Sequence, residues 1–382
     1  MYSSVILLFL REIKRFGHAD TFFSKNYMGF PDAVTWDLSH PRDYTFNAHL
    51  VKDGVVKNGI IYGINGSGKT SLGRAVFDIV SLDEAAKVDY SKIIYQGNTD
   101  APIDFEYEFK FDGNCSVVYS YSRNNRGTLL RECLALNGVL VFDKDDKSLI
   151  FSDEFSVLDG KKDELVESSN SVSILKFIFG TLPLSEDHYI VKLFDFIRSM
   201  LWFRCLDERN YIGIDHGLVN IEEYIIKNNH IRDFERFLQE ESGQKFDFSP
   251  TEQDQKSLMC RIGDNVVPFI SIISTGTASL ELLFYWIKRM KESNVKFVFI
   301  DEFDAFYHFE LSLNVCRTLF NEDFQVFMSS HNTMLLGNDL LRPDCAFELR
   351  NNRIAALSEL TDRGELRQGH NIEKMYRAGA FR

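Results

Sequence analysis

Residues 63–70 read GINGSGKT and fit the phosphate-loop pattern G-x-x-x-x-G-K-[ST]. Glycines let the backbone N–H groups of such a loop curl around phosphates, and the N-terminus of the following helix adds a favourable dipole. In this pattern Lys69 would reach the β- and γ-phosphates, and Thr70 would ligate Mg²⁺. The sequence therefore predicts a site for ATP and Mg²⁺. The predicted nucleotide contacts in the loop are Gly63, Asn65, Gly66, Ser67, Gly68, Lys69, Thr70 and Ser71.

A second candidate element is the apolar run FVFI at 297–300, which is followed by Asp301 and Glu302. A buried strand ending in two acids is typical of a Walker B site. We expect Asp301 to hold Mg²⁺ and Glu302 to polarise the attacking water. An ordinary strand can also end in a solvated Asp-Glu pair, but the phosphate loop upstream favours the catalytic interpretation.

Ser274, Thr275, Gly276 and Thr277 come directly before a strongly helical run. Serine and threonine at a helix N-terminus can simply be capping residues. The functional alternative is a second phosphate-binding helix end, formed by Ser274, Gly276 and Thr277. Its place just before the Walker B strand favours that alternative.

His331 follows the apolar run FQVFM at 324–328. A single histidine is often a structural residue. However, ligand crevices of α/β sheets open at the carboxyl ends of strands, which is where this histidine is expected. We therefore predict that His331 contacts the γ-phosphate as a switch.

The elements that must position these residues follow from hydrophobic periodicity. A strand at 58–62 leads into the phosphate loop, and a helix at 71–82 follows it. Continuous apolar runs at 297–300 and 324–328 are typical of parallel strands buried on both faces. Strict alternation at 103–111, a turn at 112–114 and further strands near 115–122, 129–136, 139–142 and 148–151 predict an antiparallel β subdomain. The run at 5–10 is interpreted as a buried first strand.

Amphipathic helical patterns without sustained heptads occupy roughly residues 171–242. The predicted fold is therefore α/β, with a nucleotide-binding core, an antiparallel β subdomain and a helical insertion. The expected division is 1–154 for the core with the phosphate loop and β subdomain, 155–255 for the helical insertion, and 256–382 for the core with the remaining motifs.

Composition restricts the function further. The chain has 382 residues, a formal charge of −13 and 34 phenylalanines. An acidic chain is a poor candidate for a protein that coats nucleic acid, because phosphate binding needs clustered Lys and Arg. The charged stretch after Thr361 is either a solvated or interface face or a local nucleic-acid patch, so DNA binding stays open. Six scattered cysteines without metal-ligand spacing indicate a reduced cytoplasmic protein, and no run is long enough to span a membrane.

The order of phosphate loop, helix end, Walker B strand and histidine resembles that of ABC-type ATPases. STGTASL at 274–280 resembles their LSGGQ-type signature, with Thr277 in place of the second glycine. IDEFDAFYH at 300–308 resembles the Walker B and D-loop of the SMC/RecF-like branch. The resemblance implies that residues 304–308 form the D-loop and that Gln96 is the Q-loop ligand of Mg²⁺. It also implies a homo-oligomer, a dimer or a larger ring, in which the signature of one copy closes over ATP held by another.

Within that branch, the insertion and the ending SSHNT…LLRPD…TDRGELRQGHNIEKMYRAGAF resemble ATPases of bacterial anti-phage abortive-infection systems, such as AbiL-type proteins and the AriA subunit of PARIS. This resemblance implies a slow ATPase that senses a phage component and controls a separate effector nuclease. The alternative is a RecF/SMC-like DNA-repair ATPase acting on DNA ends or gaps. A transporter ATPase is a third and less favoured interpretation.

Overall fold

The computed structural model describes residues 17–82, 88–112, 115–168, 173–204, 207–213, 220–249, 256–361 and 366–381. The predicted strand at 5–10 and part of the predicted turn at 112–114 lie outside these residues. The strands are β1 (Gly17–Lys25), β2 (Val34–Asp37), β3 (Val51–Lys52), β4 (Val55–Val56), β5 (Asn58–Tyr62), β6 (Ile103–Phe111), β7 (Cys115–Arg123), β8 (Leu129–Leu136), β9 (Val139–Lys144), β10 (Leu149–Phe151), β11 (Met200–Arg204), β12 (Asp207–Gly213), β13 (Met259–Ile262), β14 (Asn265–Pro268), β15 (Phe297–Asp301), β16 (Gln325–Ser329), β17 (Ala346–Arg350) and β18 (Arg353–Ala356). The α-helices are α1 (Lys69–Val76), α2 (Tyr90–Ile93), α3 (Lys162–Ser168), α4 (Ile174–Thr181), α5 (Tyr189–Arg198), α6 (Ile221–Lys227), α7 (Ile231–Ser242), α8 (Thr275–Glu292), α9 (Phe309–Phe320) and α10 (Ile372–Arg377).

The central sheet has seven strands in the order β12-β11-β15-β16-β5-β17-β18. Its five inner strands run parallel, and antiparallel β12 and β18 form the edges. Every residue of β5, β15 and β16 is buried, as continuous apolar runs predict for strands covered on both faces. Because these strands are parallel, their carboxyl ends lie at the same end of the sheet. The predicted catalytic residues are at these carboxyl ends.

The second sheet is antiparallel, with seven strands in the order β10-β9-β8-β7-β6-β1-β2. The alternation in β6 places Ile103, Phe105, Tyr107, Phe109 and Phe111 on the buried face. Hydrogen bonds join this sheet to the segment around α1. The α/β class, the order strand, phosphate loop and helix, and the antiparallel subdomain are thus confirmed.

Buried polar groups hold the antiparallel sheet against the end of α1. The Tyr107 hydroxyl donates to the Ala75 carbonyl at 3.0 Å, and the Tyr121 hydroxyl donates to Asp78 Oδ2 at 2.7 Å. Burial raises the pKa of the Asp78 carboxyl, and the hydrogen bond from Tyr121 opposes that shift. The helix after the phosphate loop is therefore anchored to the second sheet.

The helical interpretation is wrong for residues 200–204. They form β11, which pairs in parallel with β15 and places Arg204 opposite Asp301. Helix α5 ends at Arg198, and the short apolar run MLWF is buried inside the sheet. Periodicity cannot distinguish a short buried strand from a continuing buried helix, so the sequence pattern predicts a helix here.

The predicted division of the chain into three parts, with boundaries at 154 and 255, stays a prediction. No described helix is long and apolar enough to cross a membrane.

Candidate nucleotide-binding site

The loop between β5 and α1 has backbone conformations that require glycine. Gly66 and Gly68 have φ angles of +77° and +102°, where L-residues are strained. A Cβ at Gly68 would also lie 2.7 Å from the Phe30 ring. Ser67 Oγ is buried and has no hydrogen-bond partner in the described part of the chain. A left-handed loop before a helix N-terminus can direct N–H groups at an anion, so the geometry fits a phosphate cradle.

Lys69 begins α1 with its ammonium group folded back over the loop. Its Nζ donates to the carbonyls of Gly63 at 2.8 Å and Ile64 at 3.3 Å. Burial lowers the pKa of Lys69, while the charges of Asp301 and Glu302 raise it. The cation thus lies between the loop and two acids. Asn65 is exposed in the loop, and Ser71 is half-buried in the first turn of α1.

Thr70 and Asp301 meet, although 231 positions separate them in the chain. Thr70 Oγ1 donates to Asp301 Oδ2 at 2.7 Å. The Ser329 hydroxyl at the end of β16 donates to the other oxygen, Asp301 Oδ1, also at 2.7 Å. Asp301 is completely buried, and each of its carboxylate oxygens accepts one of these two hydrogen bonds.

This pair of oxygens fits Mg²⁺, which prefers hard oxygen ligands. The described residues contain no group of three His, Cys, Asp or Glu that could hold a metal ion. Protein sites for Mg²⁺ commonly use one or two side chains, with the remaining ligands supplied by substrate phosphates and water. A hydroxyl and a carboxylate at the end of a phosphate loop are such a donor set.

Glu302 follows Asp301 in an unusual backbone conformation. Its φ angle is +50°, and its N–H donates to Ser329 Oγ at 2.7 Å. Its carboxylate forms an ion pair with Arg204, whose Nη2 lies 2.7 Å from Glu302 Oε2. The sequence interpretation missed Arg204 because β11 was assigned to a helix. The detectable signal is a short apolar run followed by a charged residue, the same pattern that identifies β15.

His331 is an exposed residue just beyond the end of β16. Partial burial of the ring and the charge of Lys69 lower the pKa of His331, whereas Glu302 and Asp301 act in the opposite direction. These couplings place the imidazole in the same electrostatic environment as the phosphate loop and the Walker B acids. Burial is the largest of these effects, so the net shift of the pKa is downward and favours the neutral ring.

In the signature-like segment, Ser274 caps α8 and the next three residues form its first turn. Ser274 Oγ accepts a hydrogen bond from the Thr277 N–H at 3.2 Å, and Thr277 Oγ1 donates to Gln244 Oε1 at 2.9 Å. A Cβ at Gly276 would lie 3.1 Å from the Phe306 carbonyl oxygen, so the helix end is close to residues 304–308. The capping role is therefore observed, and phosphate binding stays a prediction. Within the described ranges, no hydrogen bond joins this helix end to the phosphate loop of the same chain.

Gln96 lies in the turn after α2. Its Nε2 donates to the carbonyls of Ser91 at 3.0 Å and Ile94 at 2.9 Å. Where the structure describes the chain, no hydrogen bond joins Gln96 to Thr70 or Asp301. Its role as a metal ligand stays a prediction without geometric support.

No family model matches the chain, and no curated protein matches it. The chain is similar to an SMC head domain from Thermotoga maritima, with 14% identity over 88% of this chain and 97% of that chain and a TM-score of 0.43. It is also similar to an Smc head domain with an extended coiled coil bound to the C-terminal domain of ScpA from Pyrococcus furiosus, with 13% identity, 89% and 96% coverage and a TM-score of 0.46. A recombination mediator protein, RecF with ATP, is similar at 14% identity, 89% and 99% coverage and a TM-score of 0.39.

Proposed function

We propose that the chain is an ABC-type ATPase that binds Mg²⁺ and ATP at the phosphate loop and hydrolyses the nucleotide. The observation that carries the proposal is the 2.7 Å hydrogen bond between Thr70 and Asp301. It joins the start of α1 to the end of β15, so two of the three predicted metal ligands lie within hydrogen-bond distance of each other. A phosphate loop next to a metal-binding carboxylate is the arrangement that phosphoryl transfer needs.

Each residue has a distinct role in this proposal. Lys69 releases its loop carbonyls and donates to phosphate oxygens, while Thr70 and Asp301 hold Mg²⁺. Bound Mg²⁺ offsets the negative charge that develops on the phosphates. Glu302 orients the attacking water and accepts its proton, and neutral His331 donates to the γ-phosphate.

We further propose that the site is completed by a second copy of the chain. Three apolar side chains around the site are exposed: Ile64 by 72%, Phe306 by 41% and Met334 by 54%. They follow the carboxyl ends of β5, β15 and β16, so they border one edge of the sheet. Exposed apolar groups rimmed by charge are typical of a surface that a partner covers. In the dimer, Ser274 and Gly276 of one copy close over ATP held by Lys69 of the other.

The experiment that tests ATP binding compares Lys69→Ala with Lys92→Ala. Lys92 is a surface lysine whose side chain is 81% exposed. Lys69→Ala should weaken ATP affinity about 10- to 100-fold and abolish turnover, because a hydrogen bond to a charged group contributes about 1.5–3 kcal/mol. Lys92→Ala should behave like the unmodified protein. Unchanged affinity and turnover in Lys69→Ala would refute the phosphate-loop assignment.

The biological use of the ATPase is a separate proposal supported by the sequence resemblance alone. A defence ATPase would respond to a phage component and control a separate effector nuclease. The RecF/SMC-like alternative would act on DNA ends or gaps. The two differ in what stimulates hydrolysis: gapped or linear DNA should raise turnover in a salt-dependent way only for the DNA-repair ATPase.

A further inference from the structure

Arg204 lies at the carboxyl end of β11, at the same end of the sheet as Asp301 and Glu302. It is the last residue of β11, and five consecutive residue pairs hold β11 in register with β15. The four residues before it are buried, which fixes the backbone from which its side chain extends. Rigid strands position functional side chains more accurately than loops do.

The contact between Arg204 and Glu302 is one-sided. Both Nη2 at 2.7 Å and Nε at 3.2 Å donate to the same oxygen, Oε2. Among the described residues, Oε1 of Glu302 has no hydrogen-bond donor. Two donors on one oxygen fix the direction of the carboxylate, while the second oxygen keeps its lone pairs available to a water molecule.

Glu302 needs such an anchor. It lies in a left-handed conformation next to a second acid, and its side chain has several rotatable bonds. Like charges on Asp301 and Glu302 repel, and Arg204 offsets both, since its Nε is also 3.8 Å from Asp301 Oδ2. Ser329 fixes the backbone N–H of Glu302, but it leaves the carboxylate free to turn.

We propose that Arg204 is the positioning residue of Glu302: it holds Oε2 so that Oε1 faces the attacking water. The inference rests on the proposed function, in which Glu302 activates that water. Arg204 acts through Glu302 and not through the nucleotide. Its loss should therefore lower kcat much more than it changes ATP affinity, because its close contact, at 2.7 Å, is with Glu302, whereas its contact with the proposed metal ligand Asp301 is the longer one, at 3.8 Å.

The test is a double-mutant cycle of Arg204→Gln and Glu302→Gln, with ATP affinity, KM, kcat and the melting temperature measured for each variant. Arg204→Gln should lower kcat about 100-fold, the scale of a misplaced catalytic group. In the Glu302→Gln background it should change kcat less than about twofold, because the carboxylate it positions is already absent. Arg204→Lys should restore part of the lost kcat, since one donor can still reach Oε2.

The matched control is Arg289→Gln, which breaks the ion pair between Arg289 and Glu292 at the C-terminal end of α8. This pair is about as exposed as the pair between Arg204 and Glu302. It should leave kcat unchanged. Multiplicative losses in the double variant, or a raised KM with unchanged kcat, would overturn the inference, since Arg204 would then act on the nucleotide or on the fold. Those outcomes leave the proposed function standing, whereas full turnover in Lys69→Ala would refute the function itself.

Discussion

Glu302 provides a prediction about stability as well as activity, because its φ angle of +50° is costly for a residue with a Cβ. The left-handed conformation costs such a residue about 1–2 kcal/mol, whereas glycine adopts it freely. Glycine loses about 0.5–1 kcal/mol through its greater freedom in the unfolded chain. Glu302→Gly should therefore be more stable than Glu302→Ala by about 0.5–1 kcal/mol. Both variants lose the Arg204 ion pair, so the difference between them isolates the backbone.

The assay is urea denaturation of the two variants, with the free energy of unfolding extrapolated to water. The matched pair is Glu240→Gly and Glu240→Ala, at an exposed position in α7. There the order should reverse, with alanine more stable by about 1 kcal/mol. Neither 302 variant should hydrolyse ATP at the rate of the unmodified protein. Equal stability at position 302, or alanine ahead of glycine, would refute the claim that Glu302 occupies a strained turn.

Two further predictions concern ionisable side chains: His331 at the site and Glu132 away from it. In the nucleotide-free protein, an NMR titration of His331 should give a midpoint below the usual value of about 6.5, because burial and Lys69 both disfavour the imidazolium; a midpoint at or above that value would contradict the geometry. Glu132→Ala should lower the free energy of unfolding by about 3–5 kcal/mol, because the buried carboxylate accepts from the Tyr119 and Ser173 hydroxyls and from two backbone N–H groups, and all four donors lose their partner. ATP affinity of the folded fraction, measured in the same preparation, should not change.

The sequence predicted the site where the chemistry depends on short motifs. Gly68 and Lys69 are identified by local spacing, and the acidic pair at 301 and 302 by an apolar run that ends in charge. These patterns place residues at strand ends, and parallel pairing then brings the strand ends together. The motifs assign Thr70 and Asp301 to the same Mg²⁺ ion, and the structure places the two side chains 2.7 Å apart.

The sequence could not supply the groups that support these residues from other elements. Arg204 contacts Glu302 from a strand 98 positions earlier, and Ser329 contacts it from one 27 positions later. Gln244 reaches Thr277 across another tertiary contact. Such contacts depend on strand order and register, which periodicity does not encode. The role of Gln96 stays a prediction from its position in the sequence, since its side chain donates to the carbonyls of Ser91 and Ile94.

The central claim, a site shared between two copies, is tested most directly by mixing two inactive variants. A Lys69→Ala chain lacks a working phosphate loop, and a Ser274→Arg chain lacks a working signature. Each alone should be inactive, whereas an equal mixture should recover about a quarter of the original turnover, since half of the dimers are mixed and each has one intact site. No recovery despite demonstrated mixed dimers would contradict the account and place the complete site within one chain.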